Sequence, residues 1–271
     1  MAKVSVIIPA KNAEQTIAKT IEAILNQDIK PLEIIVVDGG SADRTVEIAL
    51  RYSDKDVKVV KEPPHEGSVP AIGRNFGAKF ARGDILLFID PDCLPERSLI
   101  TKVLRALSNP KVGIYSVIVR DGKGTVLSRA WHFLQLQIDY DFAPSRVLAV
   151  KKEIFEKVGG FDETLPTGED NDFSYRVMNL GYDIIVDKKT VVLHDDDHAA
   201  SLRGIIKLLK WYRIGKRKLV ERYPDRFRKY RPSTALYRNH VLPLLRAFKE
   251  EGFTVGLACI LIKALSLIRH I

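Results

Sequence analysis

Asp90 and Asp92, separated only by Pro91, are the residues of this chain best suited to chemistry. Five apolar residues, 85–89, read as a buried strand that stops at Asp90. Proline cannot donate to a strand ladder, so the sheet ends there and both carboxylates project from its C-terminal tip. In open α/β sheets that tip is where ligands bind. Two carboxylates in such a place suit a divalent cation shared with a substrate's phosphates, or a solvated turn. A second acidic group, Gly168-Glu169-Asp170-Asn171-Asp172, opens a helix after Phe161-Asp162-Glu163. The helix macrodipole favours acids in a first turn, yet four carboxylates within 163–172 exceed what capping needs. One of them, held at the helix start, can serve as a general base. Third, His194-Asp195-Asp196-Asp197-His198 follows a strand. A histidine among acids reads as a metal ligand or as part of a solvated loop.

These groups need a scaffold, and the first 120 residues supply one pattern throughout. Strands read at 4–8, 33–37, 57–60, 85–89 and 113–119; helices read at 14–26, 43–52, 69–80 and 96–107. Glu14, Asp43 and Glu96 are the expected capping or first-turn acids. Alternation of this kind implies right-handed βαβ units and a mostly parallel sheet. Strand one runs out at Pro9-Ala10-Lys11-Asn12 and strand two at Asp38-Gly39-Gly40-Ser41. Neither is a G-x-G-x-x-G turn and no G-x-x-x-x-G-K-[ST] occurs, so dinucleotide and P-loop readings lose their support. Asp38 can accept from a nucleobase or ribose while Gly39 admits a ligand to the backbone, or the segment is a tight turn capped by Ser41. Arg74 can meet a phosphate or the paired aspartates, or stand solvated on a helix. Beyond residue 129 the expected order is helix 130–138, strand 146–150, helices 152–158 and 170–180, and strands 183–186 and 190–193.

Composition divides the chain. Residues 201–271 carry 17 Lys and Arg against 4 Asp and Glu, a net of +13, whereas residues 1–200 carry 26 against 30, a net of −4. The basic segment seeks an anionic surface, and without an aromatic–basic recognition pattern nucleic acid is not the expected partner. Arg203, Lys207, Lys210, Arg213 and Arg217 step around one helix face beside an apolar stripe of Leu202, Ile205, Ile206, Leu209 and Tyr212. The apolar run 253–268 is too short to span a bilayer, so with the basic residues before it the segment is expected to seat in an interfacial or re-entrant way as a cytoplasmic-face anchor, or else to pack on the catalytic domain with its basic side solvated. Two distant cysteines and an N-terminus entering directly into a strand lead to the expectation of a cytoplasmic protein, peripheral on the inner face of the cell membrane. The expected division is one α/β domain over 1–200, whose pattern changes near residue 120, and a basic helical extension over 201–271.

The ordered set Val4-Ser5-Val6-Ile7-Ile8-Pro9, Val36-Val37-Asp38-Gly39-Gly40-Ser41, Gly73-Arg74-Asn75, Asp90-Pro91-Asp92, Gly168-Glu169-Asp170 and His194 resembles the inverting family 2 glycosyltransferases of the GT-A fold. The resemblance covers about residues 3–200 and implies a catalytic domain with a nucleotide-sugar half over about 1–120 and an acceptor half over about 121–200. It implies a mixed, mostly parallel sheet flanked by helices, and a nucleotide-sugar donor with Mn2+ or Mg2+. It further implies Asp92 as main metal ligand, Asp90 on ribose or metal, and His194 ahead of His198 completing the metal site. Asp38 would read the base, with Pro9, Ala10, Asn12, Gly39 and Arg74 on the nucleotide-sugar. Asp170 would be the catalytic base, with Glu169 and Asp172 on the acceptor side. The acceptor would be lipid-linked or a glycan. Two other readings compete: a sugar-nucleotidyltransferase, and a sugar-nucleotide-binding scaffold without turnover.

Overall fold

The computed structural model describes residues 2–64, 69–138, 140–195, 199–228 and 242–267. They form two compact units, Met1–Val119 with Asp141–Leu193, and Arg120–Tyr140 with His194–Ile271.

The first unit is built on a seven-stranded sheet. Its strands are β1 (Val4–Ala10), β2 (Glu33–Asp38), β3 (Val57–Lys61), β4 (Ile85–Ile89), β6 (Val112–Val117), β8 (Val147–Lys151) and β9 (Asp183–Asp187), in the order β3-β2-β1-β4-β8-β6-β9. β3, β2, β1 and β4 are mutually parallel, β8 runs antiparallel to β4 and β6, and β9 is parallel to β6. Short β5 (Cys93–Pro95) follows the tip of β4, and β10 (Val192–His194) ends where the first unit gives way to the second.

Near-continuous apolar strands are required because both faces are covered. On one face Val6, Ile8, Leu87 and Ile89 pack with Ile17, Ile21 and Ile24 of α1 (Ile17–Leu25) and with Leu99, Val103 and Leu107 of α4 (Leu99–Leu107). α2 (Thr45–Leu50) adds Ala49 to that layer. On the other, Ile7, Leu86 and Phe88 meet α3 (Pro70–Phe80), α6 (Lys152–Lys157) and α7 (Glu169–Asn179) through Ala71, Phe155 and Phe173. Alternate strand residues thus serve opposite layers. Gly77 sets how closely α3 lies: a Cβ there would stand 2.5 Å from Ile7 Cγ2. The expected mixed, mostly parallel α/β architecture is the one observed. Of the three expected capping acids, Asp43 accepts from the Thr45 N–H at 3.0 Å. Glu14 instead accepts from Arg44 N at the start of α2, and Glu96 from Val191 N.

The second unit joins α5 (Val126–Leu136) to α8 (Leu202–Arg222), α9 (Pro224–Arg228), α10 (Leu242–Glu250) and α11 (Phe253–Leu267), with β7 (Arg120–Asp121) leading into α5. Trp131, Leu134, Ile205, Ala247, Val255, Cys259 and Ile262 form its core, and Arg129 pairs with Glu251 at 2.7 Å. Residues 120–140, placed by the sequence reading on the acceptor half of a 1–200 domain, are grouped by compactness with the C-terminal helices. On α8, Arg203, Lys207, Lys210 and Arg217 of the expected basic stripe are exposed. Arg213 departs from it, donating to the Ser266 carbonyl at 3.1 Å, and Leu202 stands 41% exposed instead of joining the apolar stripe. Cys93 and Cys259 are both buried thiols.

Candidate active site

The C-terminal ends of β1, β2, β3 and β4 border a cleft of about 210 Å³. β1 contributes Pro9 and Ala10, with Lys11 after it; Gly39 follows β2, Glu62 follows β3, α3 presents Gly73 and Arg74, and Asp90 and Pro91 follow β4. This is the crevice beyond the strand tips at which open α/β sheets take ligands. Pro9, Ala10, Gly39, Arg74 and Asp90 therefore share one cavity.

Asn12, Asp38 and Asp92 stand outside that lining. Asp38 is 3% exposed, and its Oδ1 accepts the Ser41 N–H at 2.9 Å, the geometry of a capped turn. Asn12, at φ 52°, ties the ends of β1 and β2 together: its Oδ1 accepts from Ala42 N at 2.8 Å and its N–H donates to Ser41 Oγ at 3.0 Å. Lys11 and Glu62 line the cleft without having been anticipated as ligands. Glu62 belongs to no motif, but it occupies at the tip of β3 the place Asp90 occupies at the tip of β4. Its carboxylate fills the space that side chains at residues 39 and 73 would need, since a Cβ on Gly39 or Gly73 would come within 2.8 or 2.9 Å of its oxygens.

The cleft's floor is a buried charge network. Arg74, 3% exposed, donates from one terminal nitrogen to Asp90 Oδ1 at 2.9 Å and from the other to Glu169 Oε1 at 2.8 Å. Of the readings open for Arg74, its engagement with a strand-tip aspartate is the one observed, extended to Glu169. Burial works against the guanidinium charge, but Asp90 and Glu169 outweigh it and hold the group protonated. Arg74 Nε is buried with no hydrogen-bond partner among the described residues.

The acidic helix start is sorted by its partners. Gly168, the N-cap of α7, adopts φ 82°, a left-handed turn that glycine enters without a Cβ penalty. The chain then delivers Glu169, Asp170 and Asp172 into the first turn. Glu169 faces Arg74, and fully buried Asp172 faces Arg176 at 2.8 Å. Half-buried Asp170 accepts backbone N–H groups, from Ser145 at 3.3 Å and from Asn171 at 2.9 Å. Burial, followed by the charge of Glu169, raises its carboxyl to about 7, against the opposing pull of Arg74 and the two N–H groups. A carboxylate so placed can take a proton near neutral pH.

In the second unit His194 ends β10, 4% exposed, with its Nδ1 3.2 Å from His132 Nε2. In the first, half-buried Asp92 places Oδ1 3.9 Å from Cys93 Sγ. A strand-tip carboxylate and a neutral imidazole are donor types that suit Mn2+, and the oxygen suits Mg2+. The alternative histidine, His198, lies outside the described residues.

Residues 5–161 match the profile of Glycosyl transferase family 2. The probable glycosyltransferase YdaM of Bacillus subtilis is 31% identical over 210 residues, 68% of this chain and 48% of that protein. Glycosyltransferase AglE of Haloferax volcanii is 29% identical over 225 residues, 79% of this chain and 72% of its own length. The chain thus spans about half of one of these relatives and most of the other. Among solved structures, the mannosyltransferase PcManGT of Pyrobaculum calidifontis, in complex with GDP-Man and Mn2+, superposes with a TM-score of 0.62 at 20% identity. That match covers 99% of this chain and 81% of that one. Glucosyl-3-phosphoglycerate synthase of Mycobacterium tuberculosis gives a TM-score of 0.59 at 22% identity, covering 82% of this chain and 80% of the other. The sheet order and helical layers described above are therefore those of the GT-A fold. With the profile running from β1 past the cleft to Phe161, this chain belongs to glycosyl transferase family 2.

Proposed function

We propose that the chain transfers a sugar from a nucleotide-sugar, a UDP-sugar first and GDP-mannose next, to an acceptor hydroxyl or phosphate oxygen with inversion at the anomeric carbon. One observation carries the reading: Arg74 and Arg176 engage the neighbouring acids, while Asp170 is left with a carboxyl raised to about 7. Asp170 takes the acceptor's proton as that oxygen bonds to the anomeric carbon, and the bond to the nucleoside diphosphate breaks on the opposite side. The nucleotide-sugar lies along Pro9, Ala10, Asn12, Asp38 and Gly39 towards Arg74, Asp90 and Asp92, and Glu169 and Asp172 shape the acceptor side. The orphaned Nε of Arg74 supports a ligand there, since a buried N–H without an acceptor costs about 1–3 kcal/mol that a donor oxygen would relieve. Asp92 and His194, with Asp90, are the residues that would hold Mn2+ or Mg2+, and such an ion would offset charge on the departing diphosphate.

The test is product identity. Incubation with nucleotide-sugar and acceptor should release nucleoside diphosphate; pyrophosphate would mark a sugar-nucleotidyltransferase, and no turnover a binding scaffold. EDTA should abolish transfer and Mn2+ restore it. Asp92→Ala and His194→Ala should each reduce the metal-dependent rise in melting temperature that donor binding produces. Full activity in EDTA would overturn the metal assignment.

The acceptor in this reading is lipid-linked, or a glycan on lipid, met at the inner face of the cell membrane by a cytoplasmic, peripheral protein. Among the described residues no helix is long and apolar enough to cross a membrane. Interfacial seating has its support in α11, where Val255, Cys259 and Ile262 enter the core while Phe253, Leu257, Ile260 and Leu261 are 71%, 48%, 42% and 43% exposed. Such a face, in a unit with the basic residues of α8, suits an anionic lipid surface. Deleting α11 would uncover the face of α5 it packs on, so point changes are the better probe. The full chain should float with vesicles containing anionic lipid at low salt, and Phe253→Asp with Leu257→Asp should leave it in the soluble fraction. A wild-type chain that never floats would remove the membrane reading.

A further inference from the structure

We infer that His132 is a positioning residue that fixes the tautomer and ring orientation of His194, so that His194 offers Nε2 to the divalent cation. The inference rests on the reading of His194 as a metal ligand and adds a residue that no motif marks.

A chain of hydrogen bonds inside the second unit, anchored at the start of α5, leads to His194. Thr125 caps that helix, its hydroxyl accepting the Ser128 N–H at 3.2 Å. Ser128 Oγ in turn donates to Asp121, whose carboxylate also accepts the backbone N–H groups of Lys123 and Gly124 at 3.1 and 2.9 Å. This end of the helix is therefore held firmly. One turn on, His132 is 3% exposed, and its Nδ1 lies 2.9 Å from the Ser128 carbonyl oxygen. A carbonyl oxygen only accepts, so Nδ1 of His132 carries the proton. In the neutral ring Nε2 is then an acceptor, and the atom it meets, 3.2 Å away, is His194 Nδ1. His194 must donate from Nδ1, which puts its ring lone pair on Nε2. The rings meet edge to face, with centroids 5.4 Å apart and planes at 68°. Each bond dictates the next, from a backbone carbonyl that cannot donate to the ring nitrogen that must not be protonated if it is to ligate. Outer partners of this kind commonly change metal affinity about 10–100-fold.

The test reads metal binding and tautomer state apart from turnover. Mn2+ alone is titrated into the full chain and free Mn2+ is followed by electron paramagnetic resonance. His132→Leu, which cannot accept from His194, should weaken Mn2+ binding about 10–100-fold. His132→Gln, whose amide oxygen can accept that N–H, should hold the loss to a few-fold, about the worth of one imperfect hydrogen bond. In the metal-free wild type, ¹⁵N-histidine spectra should show His194 protonated on Nδ1. An Nε2-protonated His194 overturns the inference without need of a variant, as does a His132→Leu protein that binds Mn2+ like wild type. His194→Ala separates the two levels. If it weakens Mn2+ binding while His132→Leu does not, only the positioning role fails. If it leaves Mn2+ binding unchanged, the ligand reading fails and takes the inference with it.

Discussion

Asp170→Asn should lower sugar transfer by about 10²–10⁴-fold, the usual contribution of a general base, while donor affinity stays near wild type. The amide keeps the shape of the side chain but cannot take the acceptor's proton. In the wild-type protein, kcat/KM should fall about tenfold per pH unit below about 7, because only the carboxylate form accepts and burial holds the free-enzyme group near that value. Stability should move the other way. The folded carboxyl binds its proton more tightly than the unfolded one, whose ordinary value is 3.8, so wild type loses stability as pH rises from about 4 through about 7. Asp170→Asn never ionises. It should therefore melt higher than wild type at pH 8, with the advantage shrinking as pH falls towards 4. A variant that keeps more than about a tenth of the activity would refute the assignment, and Asp172 or Glu169 would be tested next.

Arg74→Leu should destabilise the first unit strongly. It leaves Asp90 and buried Glu169 without the guanidinium that holds both, and breaking a buried ion pair from one side commonly costs about 3–5 kcal/mol. For a protein of this size each kcal/mol moves the melting temperature by about 2–4 °C, so a fall of about 10 °C is expected. Arg74→Lys should recover little, because one ammonium cannot present two separate nitrogens in the guanidinium's fork. Combining Arg74→Leu with Glu169→Gln should regain part of the loss, since one uncompensated charge is removed. Melting without donor or metal measures the network itself, apart from any part Arg74 takes in donor binding. A drop under about 2 °C would mean that solvent reaches the pair and the buried network is not what holds α3 to α7.

These two residues divide what could be read along the chain from what could not. The apolar run ending at Asp90, the glycine before the acidic turn at Glu169 and the alternation of strands and helices are local patterns. Each reflects a backbone preference or a periodicity spanning a few residues, and their ranges are observed with only small shifts at the ends. Their order along the chain also placed it in a family whose profile it matches. The choice among the three acids of α7 was not local. It follows from Arg74, 95 residues from Glu169, and from Arg176, and it turns on burial that no spacing reveals.

Non-local placement also explains the departures. Glu14 and Glu96 precede the N-caps Thr16 and Ser98; Glu14 accepts from Arg44 N, brought close by the fold, whereas Glu96 accepts both from distant Val191 N and from Ser98 and Lys102 nearby. Glu62, which no pattern marks, lines the cleft at the tip of β3. Residues 120–140 follow the catalytic sequence yet pack with the C-terminal helices, because Trp131 and Leu134 find their apolar partners at Val255, Cys259 and Ile262. The sequence by itself determined which segments become strands and helices, where the chain offers its carboxylates, and the family. Tertiary structure decided which of those carboxylates are neutralised, which is raised towards neutrality, and which histidine stands behind His194. Propensity and periodicity act over a few residues, whereas desolvation and ion pairing depend on what the fold brings from elsewhere in the chain.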